Sequence, residues 1–399
     1  MRVMSAQARV IWDPAFTAYD FGPTHPMSPV RLDLTTRLCA ALGVFDDVEQ
    51  VSPPVADDAL LATVHDPAYI AKVKEASANP DAADPAYGLG TDDDPAFAGM
   101  HEASARIVAG TVEMCRQVWT GEIAHGVNYC GGLHHAMRDR GSGFCIYNDI
   151  AAGITWLLDQ GVERVAYVDI DVHHGDGVEA LFADDPRVLT ASIHESGRTL
   201  FPGTGWARDI GHGAGEGYAV NVALPPGTTD SAWLRAFRSG LLPVVRAHRP
   251  QVLITQHGTD SHAHDPLANL SLTVDAQRQA ILDLHDLAHE VADGRWVATG
   301  GGGYAIVDVV PRTWTHLTAI AAHRPIPVAT PIPREWREHV AKIAGRPGPE
   351  RMGDLPADQE RIWVQPWELG YNPHSPVDRA VMATREAVFA HHGLDIWFD

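Results

Sequence analysis

Cysteine is scarce in this chain, and the few cysteines present form no metal-binding or disulfide pattern. The four stand far apart, at Cys39, Cys115, Cys130 and Cys145, and no two have the C-x-x-C spacing. The sequence therefore predicts neither a disulfide framework nor a thiolate zinc site. Unpaired thiols are typical of a reducing compartment, which favours a cytoplasmic location.

Long apolar runs are missing as well. No stretch is long enough to span a bilayer, and the first residues lack the apolar segment and small-residue cleavage site of a secretory signal. We therefore expect a cytoplasmic protein that does not act at a membrane.

Basic residues are outnumbered by acidic ones. The 399 residues include 30 Lys and Arg against 51 Asp and Glu, which gives a formal net charge of −21. Such a charge repels nucleic acid and anionic lipid, so the sequence disfavours both as partners. It suits a cationic substrate better, although acidity alone usually signals only solubility. Nothing in the composition indicates an oligomeric state.

What is present indicates a large α/β domain. Hydrophobic residues make up 45% of the chain, enough for a sizeable core. Short β-branched runs predict strands at Arg9–Trp12, His125–Tyr129, Arg164–Ile170, Arg187–Ile193, Ala219–Leu224, Gln251–Gln256 and Arg295–Thr299. Helical spacing marks His101–Thr120, Ile150–Gln160, Ser231–His248 and Asp275–Asp293. The alternation predicts one domain with a mostly parallel central sheet flanked by helices.

Polar clusters follow four of the predicted strands. His134–His135 come after the run that ends at Tyr129, and Asp169–His173 close the next run. His257–Asp260 and Gly300–Tyr304 follow two later runs in the same way. Because open α/β sheets bind ligands beyond the carboxyl ends of their strands, these clusters are predicted to share one crevice.

The segment Asp169-Ile170-Asp171-Val172-His173 predicts a metal site. Residues two apart in a strand point to the same face, so its two aspartates and its histidine should project together. Asp260 would add a third ligand to Asp171 and His173, although an aspartate there could also simply start a turn. Two carboxylates and one imidazole leave room for a water and a carbonyl oxygen, which suits metal-assisted hydrolysis.

The adjacent histidines His134 and His135 are then free to move protons. A carboxylate behind an imidazole fixes its tautomer and raises its basicity, so we pair Asp169 with His134 and Asp176 with His135. Asp176 could also cap the following helix. Tyr304 ends the run Gly300–Tyr304, and a tyrosine on such a loop can donate its hydroxyl to a developing oxyanion.

Two phenylalanines lie in glycine-containing loops, Phe144 in Ser142–Cys145 and Phe201 in Phe201–Gly205. Taken singly, each is more typical of a core residue. As a facing pair they would wall a narrow apolar channel.

The character of the chain changes after about residue 325. Proline and glycine are frequent, and Trp363, Trp367 and Trp397 lie in a poorly periodic stretch. We interpret residues 1–325 as a metal-dependent hydrolase domain. Residues 326–399 would be an extension that packs on it through buried tryptophans.

Taken together, these motifs resemble a known family. They are GGLHHA (131–136), SGFCIYND (142–149), VAYVDIDVHHGDG (165–177), FPGTG (201–205), QHGTD (256–260), DPL (265–267) and GGGGY (300–304). In this order they are similar to the zinc-dependent histone deacetylases of the arginase-deacetylase superfamily. The likeness is greatest to the bacterial acetoin-utilisation deacetylases of class I type.

The resemblance implies roles for the site residues. His134 and His135, with Asp169 and Asp176, match the catalytic pairs, and Tyr304 matches the tyrosine that stabilises the tetrahedral intermediate. Asp171, His173 and Asp260 match the ligands of Zn²⁺, with Fe²⁺ as the alternative metal. Residues that match the acyl-lysine tunnel are Gly143, Phe144, Phe201 and Leu267. Asp93 resembles the aspartate at the tunnel rim, in a register that Asp92 and Asp94 leave open by one residue.

The resemblance also implies K⁺. Asp169, Asp171, His173 and Ser192 match a potassium site beside the metal, and Phe182, Val188 and Tyr218 match a more distant one. Arg31 resembles the arginine near a product-exit cavity. His257, His262 and His264 are not ligands by this match.

The expected function is hydrolysis of N-acetyl-lysine in a protein, with an acyl-CoA synthetase as a candidate partner. The alternative is deacetylation of small acetylated polyamines, which shares the metal chemistry. A binuclear manganese ureohydrolase would need more ligands than this pattern offers. A catalytically dead acetyl-lysine binder would have lost a ligand, a histidine or the tyrosine, and none is missing.

Overall fold

The sheet and helices predicted from the alternating pattern are present in the computed structural model, which describes residues 8–356, 358–359 and 361–399. The strands in these residues are β1 (Ala8–Ile11), β2 (Glu49–Val51), β3 (His125–Asn128), β4 (Val165–Asp169), β5 (Val188–Glu195), β6 (Ala219–Leu224), β7 (Val252–Gln256) and β8 (Trp296–Thr299). They form one sheet in the order β2-β1-β3-β8-β7-β4-β5-β6, and every neighbouring pair is parallel. The prediction of an α/β fold with a parallel central sheet is confirmed.

The helices lie between the strands and after them. They are α1 (Val30–Ala41), α2 (Asp58–Leu61), α3 (Pro67–Ala78), α4 (Met100–Trp119), α5 (Asp149–Asp159), α6 (Asp176–Phe182), α7 (Asp230–Ala236), α8 (Leu242–His248), α9 (Val274–Val291), α10 (Val310–Ala321), α11 (Arg334–Ala344) and α12 (Pro376–Val388). A π-helical segment at Phe237–Leu241 joins α7 to α8. None of the helices in the described part of the chain is long and apolar enough to cross a membrane.

The burial of the strands explains why they could be predicted from the sequence. All residues of β3, β4, β5, β7 and β8 are buried, so both faces of the sheet are covered and the strands read as continuous apolar runs. All seven predicted strands are present. The eighth, β2, was missed because Glu49-Gln50-Val51 is a short edge strand with mostly exposed, polar residues.

The strand order shows where the predicted crevice lies. β3, β8, β7 and β4 are consecutive neighbours in the sheet, and they are the four strands that the polar clusters follow. Since these strands are parallel, their carboxyl ends meet at one edge of the sheet. The four clusters therefore converge, as the sequence predicted.

The chain after residue 325 packs on the rest, but through fewer tryptophans than expected. Trp367 is buried, with 6% of its surface exposed, whereas Trp363 and Trp397 are 72% and 49% exposed. Of these three tryptophans, Trp367 alone fits the expectation that the extension packs through buried rings. The contacts come instead from α11, where the indole of Trp336 donates to the carbonyl of Leu34, and from α12, which packs against β6.

An arginine of α7 joins this extension to the sheet domain. The guanidinium of Arg235 donates to both carboxylate oxygens of Asp378, at 3.1 and 3.0 Å, and to the carbonyl of Gly370 at 2.8 Å. It also stands over the ring of Trp367, 4.9 Å from the centroid. Both members of the ion pair are buried, so either one left alone would be an uncompensated charge.

We expect Arg235→Ala to lower the free energy of unfolding by about 3–5 kcal/mol, because it leaves the buried Asp378 carboxylate without its ion-pair partner. The measurement is urea denaturation followed by circular dichroism. The matched control is Arg334→Ala on α11, which removes a surface pair with Glu338 and should cost far less. Equal losses in the two variants would show that the Arg235 contacts do not hold the extension.

Candidate active site

The loop that carries His134 and His135 is fixed by the start of α5. Asn148 caps this helix, and its side-chain amide donates to the carbonyl of Ala136 at 3.1 Å. The carboxylate of Asp149 accepts from the amides of Gly132 and Leu133. These bonds hold the main chain of the loop on both sides of the histidine pair.

Each histidine has the carboxylate partner that the sequence predicted. His134 Nδ1 lies 2.7 Å from Asp169, and His135 Nδ1 lies 2.6 Å from Asp176. Asp176 also accepts from the amide of Gly177, but it is the first residue of α6 and the N-cap is Gly175, so the alternative that Asp176 caps this helix is wrong. His134 Nε2 lies 3.9 Å from an oxygen of Asp171, and both histidines line a small cavity together with His173 and Tyr304.

The two imidazoles differ in proton affinity. Burial opposes the charged form of His134, but the carboxylates of Asp169 and Asp171 outweigh it and raise its pKa to about 9. Burial and the neighbouring His134 lower the pKa of His135, in spite of its bond to Asp176. Of the two imidazoles, His134 therefore binds a proton more tightly than His135.

Asp171, His173 and Asp260 form a buried donor set. One ligand atom from each lies within 4.8 Å of the others. His173 Nδ1 lies 3.1 Å from an oxygen of Asp171 and 3.2 Å from an oxygen of Asp260. Burial and the nearby Asp171 raise the pKa of Asp260 to about 7. Two buried carboxylates that converge with an imidazole fit a divalent cation, which would relieve their repulsion.

Neutral donors hold the carboxylates of this set in place. Gln256 donates its side-chain amide to Asp171 at 2.7 Å, and its carbonyl oxygen accepts from the amide of Gly258. The amide of Gly302 donates to the same Asp171 oxygen at 2.8 Å. Sequence reasoning gave Gln256 no individual role, although a polar residue closing an apolar strand was an available signal.

Glycine is required where the main chain passes these carboxylates. A Cβ added at Gly258 would collide with the Asp171 carboxylate, and one added at Gly302 would collide with that of Asp260. The run that ends at Tyr304 therefore lets the main chain approach the metal ligands closely, in keeping with its high glycine content.

Tyr304 is half-buried beside the donor set, and Asp265 fixes its loop. The Asp265 carboxylate accepts from the amide of Tyr304 at 2.8 Å and from that of Leu267 at 3.0 Å. It thereby ties the tyrosine loop to the loop of a predicted tunnel residue. The sequence analysis identified Asp265 only as the first residue of the DPL motif and predicted no role for its side chain.

The two phenylalanines pack on different parts of the site. The ring of Phe144 lies edge-on to Tyr304, with centroids 5.7 Å apart. The ring of Phe201 lies edge-on to His135 at 5.1 Å, and it is 46% exposed. Gly143 lies against the ring of His135, where a Cβ would collide. These three residues therefore line the approach to the histidine pair and the tyrosine.

Asp93 lies at this approach, but one of its carboxylate oxygens is already engaged. It accepts from the amide of Gly143 at 2.7 Å, and the Asp93 carbonyl lies 3.3 Å from His25 Nε2. Asp92 is exposed, and Asp94 is buried with its pKa raised by burial and by Asp93. Of the three aspartates, Asp93 is the one that bonds Gly143, a predicted tunnel residue, and its role at the rim stays a prediction.

The predicted potassium residues fall in two places. Asp169 and Ser192 are paired in the register of β4 and β5, and Asp171 and His173 follow directly. The more distant set consists of the following residues near the other end of the same strands: Phe182, Val188 and Tyr218. Binding of K⁺ at either place stays a prediction.

Arg31 is buried behind the tyrosine loop. It donates to the carbonyls of Gly301 and Gly303, at 2.9 and 3.2 Å, and stands 5.0 Å from the ring centroid of Trp314. It lines a cavity of about 10 Å³, and Met27 lines both this cavity and a similar one beside the donor set. The expected place of Arg31 near a product-exit cavity stays a prediction.

The other histidines considered stand outside the donor set. His257 is buried and bonds Thr255, His262 bonds Asp354 at 2.9 Å, and His264 is exposed. None of the three belongs to the group of converging ligand atoms at Asp171.

Comparisons with known proteins agree with this geometry. Residues 25–321 match the histone deacetylase domain. The chain is 43% identical over 328 residues to the acetoin utilization protein AcuC of Bacillus subtilis (strain 168), covering 82% of this chain and 84% of that protein. It is 38% identical over 321 residues to the AcuC of Staphylococcus xylosus, covering 80% and 83%.

A solved structure agrees as well. The crystal structure of an HDAC homolog complexed with SAHA superposes with a TM-score of 0.80 at 26% identity, covering 95% of this chain and all of that one. The extent of these matches, on a chain that holds both histidine–carboxylate pairs and the buried donor set, places the chain in the histone deacetylase family.

Proposed function

We propose that this chain hydrolyses the amide of N-acetyl-lysine in a protein, giving lysine and acetate. The observation that carries the proposal is the meeting of two groups within one crevice. The first is the pair of carboxylate-backed histidines, and the second is the buried set of Asp171, His173 and Asp260. Amide hydrolysis needs both a proton carrier and a means to polarise the carbonyl, and these two groups supply them.

The donor set would hold one divalent metal ion. When bound, this ion would polarise the acetyl carbonyl and make a neighbouring water more acidic. A ligand set of one imidazole and two carboxylates suits Zn²⁺, with Fe²⁺ as the alternative, better than it suits a hard cation that prefers oxygen alone. We also propose K⁺ at the two predicted places.

The histidine pair would move the protons. His135 is kept neutral by burial and by His134, so it can accept a proton from the attacking water. The new C–O bond then gives a tetrahedral intermediate. Transfer of the proton from His135 to the amine nitrogen lets the C–N bond break, which releases lysine and acetate. His134, which Asp169 and Asp171 make the more basic of the pair, would donate a hydrogen bond to the negative charge that develops beside it.

Tyr304 would stabilise the tetrahedral intermediate directly. Its ring is held by the edge-on contact with Phe144, and its main chain is held by Asp265. A burial-raised pKa keeps its hydroxyl protonated, so it can donate to an oxyanion.

The substrate class rests on the approach to the site. Phe144 and Phe201 offer apolar surface for a lysine stem. The exposed Asp92 and the partly exposed Asp93 suit a peptide with basic flanks. We propose a cytoplasmic acetylated protein, with an acyl-CoA synthetase as the candidate partner. An acetylated polyamine is the second candidate, since the acidic chain attracts polycations equally well.

The other two alternatives fit less well. Within the described residues the ligand group at this crevice has three members, whereas a binuclear ureohydrolase centre needs more. A catalytically inactive protein that only binds acetyl-lysine would not need both histidine–carboxylate pairs, and this chain keeps both at hydrogen-bond distance.

We expect Asp260→Asn to bind one metal equivalent less than the wild type, because it removes a charged ligand from a buried site. Elemental analysis after gel filtration measures the loss. Asp265→Asn is the matched control, since it alters a neighbouring carboxylate outside the donor set and should keep the metal. Full metal content in Asp260→Asn would contradict the assigned site.

Tyr304→Phe should lower kcat by about 100- to 1000-fold, because it removes one oxyanion donor and keeps the ring. The metal content should not change. Steady-state kinetics on an acetyl-lysine peptide, with elemental analysis of the same sample, makes the comparison. A near-normal kcat would remove the proposed role of the hydroxyl.

Asp93→Ala should lower kcat/KM on an acetylated peptide more than on a minimal acetyl-lysine without flanking amides. Hydrogen bonds to a charged group contribute about 1.5–3 kcal/mol, so the peptide should lose roughly 10- to 100-fold. The exposed Asp92→Ala is the control and should change both substrates little. Equal losses on both substrates would show that Asp93 only supports Gly143.

The same assay separates the two substrate classes. A wild-type kcat/KM that is higher for acetylputrescine or acetylspermidine than for every acetylated peptide would overturn the protein substrate in favour of the polyamine.

A further inference from the structure

A second group of side chains that could bind a metal lies away from the crevice, near the N-terminal ends of the strands. His125 is the first residue of β3, His285 and His289 lie on α9, and His323 follows α10. Their ring centroids are 4.7–5.3 Å apart, and one nitrogen from each lies within 4.8 Å of the others. The proposed hydrolysis uses none of them.

His125 is the buried member, and one of its nitrogens has no partner. Its Nδ1 lies 2.6 Å from the carbonyl of Ala321, which can only accept, so Nδ1 carries the hydrogen. The lone pair is then on Nε2, which is buried without any hydrogen-bond partner in a residue with no exposed surface. A buried acceptor of this kind requires an explanation, and a bound cation supplies one.

His323 occupies a position that favours glycine. Its φ is 58°, its amide donates to Ile320, and the amide of Arg324 donates to Ala319, which is the Schellman end of a helix. A β-substituted residue is strained at such a place. The imidazole there puts Nδ1 at 3.2 Å from Nε2 of His285. Two nitrogens bound tetrahedrally to one Zn²⁺ at about 2.0–2.1 Å would lie roughly 3.3 Å apart.

The two histidines of α9 complete the set. His285 and His289 are four residues apart, so they lie on the same face of the helix, one turn from each other. The ring of His289 lies against Gly294, which has a φ of 77° and leaves no room for a Cβ. The other nitrogen of His285 lies 3.4 Å from Asp286, in the way that a ligating imidazole is commonly oriented by a carboxylate.

We propose that His125, His285, His289 and His323 bind one divalent transition-metal ion of the zinc class through four neutral imidazoles. No carboxylate belongs to this set, which disfavours Mg²⁺ and Ca²⁺ because both prefer oxygen ligands.

The consequence is structural. The ion would join three parts of the fold that lie far apart in the sequence: the start of β3, the last turns of α9 and the end of α10. A four-ligand set without an open position is typical of structural zinc rather than catalytic zinc. The site lies at the opposite end of β3 from the catalytic histidines, so its loss should leave the reaction intact.

The test uses tag-free, full-length protein that has been stripped with a chelator and titrated with Zn²⁺. Asp260→Asn vacates the proposed catalytic site, so this variant should still bind one equivalent by calorimetry. Its melting temperature should rise with Zn²⁺. Adding His289→Ala should abolish both effects. The matched control is the addition of His374→Ala, an exposed histidine outside the cluster, which should change neither.

A second variant guards against misfolding. His323→Gly removes a ligand while relieving the left-handed backbone, so it should fold well and still lose the ion. In the otherwise wild-type protein, His289→Ala should bind one equivalent less and deacetylate at the wild-type rate. This difference does not depend on the proposed function, because it compares metal content alone.

Two outcomes would overturn the proposal. One is an Asp260→Asn protein that binds no Zn²⁺ and shows no rise in melting temperature. The other is binding that persists in both His289→Ala and His323→Gly. Co²⁺ adds an independent readout: the four-nitrogen site should give strong visible absorption in Asp260→Asn, and this should vanish with His289→Ala.

Discussion

The buried meeting of Asp171 and Asp260 is the constraint on which the site depends. Two carboxylates without solvent repel each other, and each needs hydrogen-bond donors or a cation. The structure supplies donors from different strands and loops, among them Gly302, Gln256 and the imidazole of His173. Because these groups are far apart in sequence, the donor set can form only when β4, β7 and β8 are aligned.

The sheet order follows from this requirement. β7 lies between β4 and β8, and Asp169, Gln256 and Thr299 are register partners at their carboxyl ends. A shift of one residue in any of these strands would turn the terminal side chains to the other face. The same alignment fixes the glycine-rich run, since its amides must pass within hydrogen-bond distance of the carboxylates.

Much of this arrangement could be predicted because the informative residues are local in sequence. Asp169, Asp171 and His173 alternate along one short segment, and buried parallel strands read as apolar runs. The roles of Gln256 and Asp265 could not be predicted, since a supporting hydrogen bond depends on which loops meet in space. The exposure of Trp363 and Trp397 was also missed, because a tryptophan-rich stretch has no period that tells a buried ring from an exposed one.

The histidines at the two ends of β3 show how the hydrogen-bond partner at Nδ1 can shift the pKa of a buried imidazole in opposite directions. His134 faces a carboxylate there, and negative charge raises its pKa to about 9 in spite of burial. His125 faces a main-chain carbonyl, whose dipole cannot offset burial, and its pKa falls to about 3. The first imidazole therefore binds a proton more tightly than the second, which presents a lone pair. The identity of the acceptor behind the ring, rather than burial alone, decides between a proton carrier and a neutral ligand.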